Sequence, residues 1–175
     1  LVGSEMCIRD RDVGDNIFVG TLGSGLVKIN KLSGETTCFN TANSDLPNNS
    51  VRSLLKSSSG DIYIGVSSTD ITDGGLAKFD GTSSTGWTVF DIDNSDLSSN
   101  IIYSLLESSS CDIYLGTNGG LVKFDGVSSS NWTIYKDDNS GLPSNHIFTL
   151  LESNSGDIYV GTNDGLAKFD GINLS

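Results

Sequence analysis

Side chains suited to chemistry are scarce in this sequence, and their spacing argues against most reactions. The one histidine, His146, has no second imidazole with which to hold a metal, and any serine or cysteine nucleophile would have to use it as base. Cys7, Cys38 and Cys111 show no CxxC spacing, which argues against both a zinc site and a disulfide framework. Asp91, Asp93 and Asp96 in DIDNSD are spaced like the start of a calcium loop, but the turn glycine and the distal glutamate of such a loop are absent. That segment is read as a polar connection. Asn48, Asn131 and Asn173 stand in N-x-[ST] sequons, which chance supplies in a chain so rich in Asn and Ser. Arg52 is the one arginine beyond the first dozen residues, so a catalytic set of converging His, Arg or metal ligands is not provided for. The expectation is a non-catalytic chain with no cofactor and no metal.

What remains is hydrogen bonding. A net charge of -12, from 22 acids against 10 bases, repels polyphosphates, so nucleic acid is not expected as a partner. No apolar run approaches the roughly 20 residues needed to span a bilayer, so this segment is not expected to insert into a membrane. With 36% apolar residues, 21 Gly and only 2 Pro, the composition suits an all-β protein with many tight turns.

An internal repeat supplies the elements. NIFVG, DIYIG, DIYLG and DIYVG place Gly20, Gly65, Gly116 and Gly161 at intervals of 45, 51 and 45 residues. GLVKIN, GLAKFD, GLVKFD and GLAKFD place Leu26, Leu76, Leu121 and Leu166 at intervals of 50, 45 and 45. TTCF, WTVF and WTIY form a third series, and VRSLLKSSS, IIYSLLESSS and IFTLLESNS a fourth. Each segment is short, rich in β-branched and aromatic residues, and bounded by Gly, Asn, Asp or Ser, as strands are. TNGG and TNDG read as hairpin turns, because Asn and Gly accept positive φ angles. No useful length shows helical periodicity. A fixed period of about 45 residues implies an array, and a four-stranded meander must have both faces covered. Stacking such sheets around an axis covers them. A β-helix would need shorter coils with parallel pairing, and leucine-rich repeats a shorter period with an Asn ladder.

The reading is therefore an all-β β-propeller fragment of about three and a half four-stranded antiparallel blades. Naming the strands a to d, the chain holds b, c and d of a first blade (16–40), complete blades at 50–93 and 100–137, and a, b and c of a fourth (145–171). Trp87 and Trp132 recur at one strand position and are read as packing aromatics. Up-and-down strands put the b-to-c turns at the same end as the connections NSDLPNN, NSDLSSN and NSGLPSN. One irregularity falls there: 11 positions separate Gly65 from Leu76, against 5 in each later blade. Insertions on one rim of a repeat protein mark a binding side. Asp70, Thr72 and Asp73, with Asn118, Asn163 and Asp164, are the residues expected to bind a polar ligand there.

The opening LVGSEMCIRDR shares nothing with the repeat. Residues 6–10 match the translation of a common transposon-end sequencing adapter, and the segment lacks the apolar stretch and basic start of a signal peptide. Residues 1–12 are read as a non-native leader, and 13–175 as an incomplete propeller.

GDIYVGTNDGLAKFDG at 156–171 and CDIYLGTNGGLVKFDG at 111–126 resemble the two-component regulator propeller repeat, as does NSGLPSN with IFTLLESNS at 139–155. The tryptophan usual in that repeat is Tyr63, Tyr114 and Tyr159 here, and Phe18 in the first blade. The resemblance implies the periplasmic or extracellular sensor region of a bacterial two-component regulator, often one responsive to glycans. Its partner would be a polar small molecule, a glycan or another protein. Such repeats also occur in secreted or surface proteins, so a structural or adhesive module is the alternative, with a propeller lyase third.

Overall fold

A computed structural model describes residues 9–68, 73–81, 85–130 and 132–170, with the backbone alone for 9–13. Fifteen strands and no helix are found among them. The first sheet holds β1 (Arg9–Val13), β2 (Asn16–Gly20), β3 (Leu26–Asn30) and β4 (Thr36–Phe39). The second holds β5 (Val51–Lys56), β6 (Ile62–Val66), β7 (Gly75–Phe79) and β8 (Trp87–Phe90). The third is β9 (Ile102–Glu107), β10 (Ile113–Thr117), β11 (Gly120–Phe124) and β12 (Thr133–Tyr135). The last has three strands, β13 (Ile147–Glu152), β14 (Ile158–Thr162) and β15 (Gly165–Phe169). Every pairing is antiparallel between chain neighbours of one sheet, so each repeat closes its own meander.

The first sheet has one strand more than the sequence pattern suggests. Arg9–Val13, which overlaps the segment 1–12 read as a leader, pairs with Asn16–Gly20 through a turn at Gly14, whose φ is 58°. Backbone pairing needs only N–H and C=O groups in register beside an open edge, so a segment without the repeat's side chains can still occupy it. Residues 1–8 lie outside the described part.

The sheets cover one another through three hydrophobic clusters, each spanning one seam. Phe18, Leu26 and Phe39 of the first sheet meet Leu54, Ile62, Ile64, Ala77 and Phe79 of the second. Tyr63, Leu76 and Phe90 then meet Ile113, Leu115, Val122 and Phe124, and Tyr114 and Leu121 meet Ile158, Val160, Ala167 and Phe169. One aromatic contact recurs across all three seams: Phe39 to Phe79 at 5.1 Å, Phe90 to Phe124 at 5.3 Å, and Tyr135 to Phe169 at 4.9 Å. Trp87 stacks on Phe79 at 4.3 Å and Trp132 lies on Phe124 at 4.4 Å, closing the outer end of two seams. Offset and edge-on pairs of this kind add about 0.5–1.5 kcal/mol each beyond buried area. The edge strands β1, β5, β9 and β13 neighbour one another and line the inside of the array.

Each turn between the first two strands of a later sheet contains a residue with positive φ. Gly60 (97°) and Gly156 (87°) fill it in two sheets, and Cys111 fills it in the third with φ 66°. A side chain in the left-handed region costs about 1–2 kcal/mol, partly offset because glycine has more freedom to lose on folding. Cys111→Gly is expected to stabilise the chain by about 1 kcal/mol, read as a higher urea midpoint at unchanged slope.

Candidate ligand-binding face

The face carrying the β2–β3, β6–β7, β10–β11 and β14–β15 turns is built by hydrogen bonds that recur from sheet to sheet. Each turn is gripped by the connections that enter and leave its sheet. The Asn118 N–H donates to the Ile101 carbonyl at 3.1 Å, and the Gly120 N–H to the Asn145 carbonyl at 2.8 Å. In the second sheet Ser67 N–H bonds the Ser50 carbonyl (3.1 Å) and Gly75 N–H the Asn100 carbonyl (2.8 Å). The first and last sheets repeat half of the pattern, with Gly25 N–H to Asn49 and Asn163 N–H to His146, both at 3.0 Å.

The connections hold their shape with their own asparagines. Oδ1 of Asn43, Asn94 and Asn139 accepts from the backbone N–H three residues earlier at 2.7–3.0 Å. Oδ1 of Asn49, Asn100 and Asn145 accepts across each connection at 2.9–3.0 Å. Leu46, Leu97 and Leu142 drop into the seams beneath, each at most 5% exposed. In DIDNSD, Asp91 Oδ1 accepts from the N–H groups of Asp93 and Asn94, which makes this carboxylate part of a turn.

Of the six residues expected to bind a ligand, Asp70 and Thr72 lie outside the described residues. Asp73 is exposed at the end of the insertion. Asn118 is half-buried and lines a 240 Å³ cavity with Ile92, Ser98, Ser99, Asn100 and Gly119, so the connection entering the third sheet and that sheet's own β10–β11 turn meet around it. Asn163 and Asp164 occupy the matching turn of the last sheet, exposed, with Asn163 Nδ2 bonded to Asp164 Oδ1 at 3.1 Å.

Sequence reasoning passed over a further set on the inside of this face. In β5, β9 and β13 the strand register slips by one residue, leaving Arg52, Tyr103 and Phe148 out of the ladder. A bulge of this kind turns a side chain away from the sheet's own alternation. Tyr103 and Phe148 meet across their seam with ring centres 5.3 Å apart. Arg52 donates from Nε to Ser67 Oγ at 2.7 Å, and Ser67 is 4% exposed. The available signal was the internal comparison: residues around this position repeat closely (V-x-S-L-L, I-x-S-L-L, I-x-T-L-L), while the position itself reads Arg, Tyr, Phe.

The opposite face also carries a cavity, of 320 Å³, between the second and third sheets. Its polar groups are committed within the second sheet and across to the third. Lys78 Nζ lies 2.9 Å from Asp61 Oδ2, and Tyr63 donates its hydroxyl to the Gly126 carbonyl of the next sheet at 3.1 Å. Glu107 accepts from both the N–H and the hydroxyl of Ser58, and Glu152 does the same for Ser109. Where Phe18 has no hydroxyl, Lys28 reaches the Gly81 carbonyl itself at 2.9 Å. Burial pushes the Tyr63 phenol above its ordinary value, with Lys78 pulling against it, so the phenol stays a donor at neutral pH. Burial alone would lower Lys78, but its bond to Asp61 and the neighbouring phenol outweigh this and raise it. Lys123 is raised as well, first by its bond to Asp112 at 2.8 Å. These ion pairs and hydrogen bonds hold turns against sheets.

Residues 141–164 match the two component regulator propeller family. The chain carries a two component regulator propeller repeat. That stretch contains the third connection, β13 and β14, the elements that build the face described above. Comparison with curated proteins gives no match. Among solved structures, the chain with this repeat is similar to the extracellular domain of the hybrid two component system BT3049 from B. thetaiotaomicron, with a TM-score of 0.78 and 25% identity over 97% of the chain. It is similar to the corresponding domain of BT4673 from the same organism, with a TM-score of 0.74 and 25% identity over 96%. The chain spans 23% and 22% of those two proteins' lengths. A virginiamycin B lyase from Staphylococcus aureus shares the fold at a TM-score of 0.70, with 10% identity. No helix among the described residues is long and apolar enough to cross a membrane.

Proposed function

We propose that this chain is a segment of the extracytoplasmic sensor propeller of a bacterial two-component regulator, and that it binds a polar ligand of the glycan class without transforming it. The observation that carries the reading is the regulator-propeller repeat at 141–164, joined to 25% identity with the extracellular domain of a hybrid two component system across 97% of the chain. The ligand would sit on the face of turns and connections. Asn118 and Asp73 would offer it hydrogen bonds from separate loops of that face, with Asn163, Asp164, Asp70 and Thr72 belonging to the same set.

The test is a thermal-shift screen of the chain against a panel of neutral and acidic oligosaccharides. A binder raises Tm by mass action, and the rise shrinks in Asn118→Ala and Asp73→Ala. A panel in which no saccharide moves Tm, or a binder indifferent to both substitutions, would overturn the proposal. The lyase alternative would show itself as consumption of the saccharide during the incubation.

A further inference from the structure

The bulged inner-strand position decides what kind of saccharide this face accepts. We propose that Arg52, Tyr103 and Phe148 form a subsite for a sugar ring bearing an oxyanion, such as a uronate, with Arg52 holding the anionic group and the two aromatic residues supporting the ring. The inference rests on the sensor reading above and makes it more specific.

Three observations point to it. The first is the repeated geometry: in three successive sheets one residue is expelled from the ladder at the same register of neighbouring inner strands. The second is the choice of side chains. The residues flanking the bulge repeat as Val or Ile before it, 0% exposed in all three sheets, and Ser or Thr after it. At the bulge itself the requirement changes each time, and the residues are large: Arg, Tyr, Phe. A position whose backbone is held constant while its side chain varies is suited to reading a ligand, and packing alone does not demand it.

The third observation is the state of Arg52. Four of the ten basic residues of this acidic chain are committed: Lys78, Lys123 and Lys168 each pair with an aspartate at 2.8–3.0 Å, and Lys28 bonds a carbonyl. Arg52 has no carboxylate partner among the described residues, and its Nε is steered by the buried Ser67 hydroxyl. Ser67 opens the one insertion that interrupts the repeat, so the irregular loop and the unpaired guanidinium meet at one hydrogen bond. With Nε tied back, the two terminal amino groups of the fork remain, and that planar pair matches a carboxylate or sulfate. On the adjoining strands, Tyr103 and Phe148 lie 5.3 Å apart at a 52° tilt. They offer carbon-rich surface that stays partly open, with Phe148 46% exposed. Such surface suits the C–H face of a sugar ring.

The experiment is calorimetric titration of the full chain with glucuronate and galacturonate disaccharides, their methyl esters, and a sulfated disaccharide. The acids should bind at least about 10-fold more tightly than their esters, since a hydrogen bond to a charged group that the ester cannot make is lost. Arg52→Gln should weaken the acids about 10- to 100-fold and leave the esters unchanged. Arg52→Lys should recover part of the preference, which shows that charge as well as fork shape matters. Tyr103→Ala should weaken acid and ester alike. Binding of the sulfated sugar with the same Arg52 dependence would extend the site to any oxyanion. Acids and esters binding equally, or an acid preference that survives Arg52→Gln, would overturn the subsite. If Asn118→Ala weakened binding in that case, the sensor reading would still stand. Failure of every saccharide to bind would overturn both.

Discussion

Leu121→Ala is expected to destabilise the chain by about 3–4 kcal/mol, while Leu166→Ala, the same residue of the same repeat one sheet later, should cost less than about 0.5 kcal/mol. Both stand second in a GLxKFD segment, and both pair with the next-to-last residue, a glycine, of the preceding strand. Leu121 is 0% exposed in the third seam among Tyr114, Ile147 and Phe169, so truncation leaves a cavity that close-packed neighbours cannot fill. Leu166 is 66% exposed, because among the described residues nothing packs on that side of the last sheet. Urea unfolding of the two variants side by side measures the contrast. Equal losses would mean that the exposed flank of the last sheet is covered in solution, either by a second copy of the chain or by residues beyond those described. Leu151, 65% exposed on the last sheet, belongs to the same comparison, as its counterparts Leu55 and Leu106 pack against seams.

Gly120→Ala should cost about 3 kcal/mol or more, with Gly165→Ala close to 1 kcal/mol. Gly120 has φ 121°, and a Cβ there would meet the Tyr135 backbone oxygen at 2.4 Å. Neither partner can yield, since Tyr135 is held in β12 opposite Leu121. Gly75 repeats the arrangement against the Phe90 oxygen at 2.4 Å, and Gly25 against the Phe39 oxygen at 2.2 Å. Gly165 also has positive φ, 141°, but its nearest neighbour is Pro143 at 3.8 Å. The clash is absent there, and only the backbone strain remains. Thermal unfolding monitored by near-ultraviolet circular dichroism, which reports the stacked tryptophans, separates the two. A Gly120→Ala protein that unfolds like the wild type would show that the outer strand is free to move away from β11.

The repeat shows how much of such a molecule one dimension carries. Four copies of a strand-turn-strand signature are enough to specify four sheets, the absence of helix among the described residues, the seam residues and the end at which turns and connections gather. This follows because a strand's side chains alternate, and a sheet with two apolar faces has to stack. The occupant of the first edge was beyond reach. The pairing of Arg9–Val13 uses backbone groups alone, which leave no trace in side-chain pattern.

The candidate site divides in the same way. Asn118, Asn163 and Asp164 could be placed on one face by counting strands, since topology alone puts their turns there. The asparagines of the connections, equally polar and on the same face, are used up in holding backbone, and only hydrogen-bond geometry separates the two kinds. The column of Arg52, Tyr103 and Phe148 depends on a register slip, and the sequence carries no mark of a slip because every residue keeps its neighbours in the chain. Residue types and spacing thus determined the blades and their order. Tertiary structure alone decided which polar groups remain free to meet a ligand, because that depends on distances between residues about 45 to 50 positions apart, across seams that no local pattern encodes.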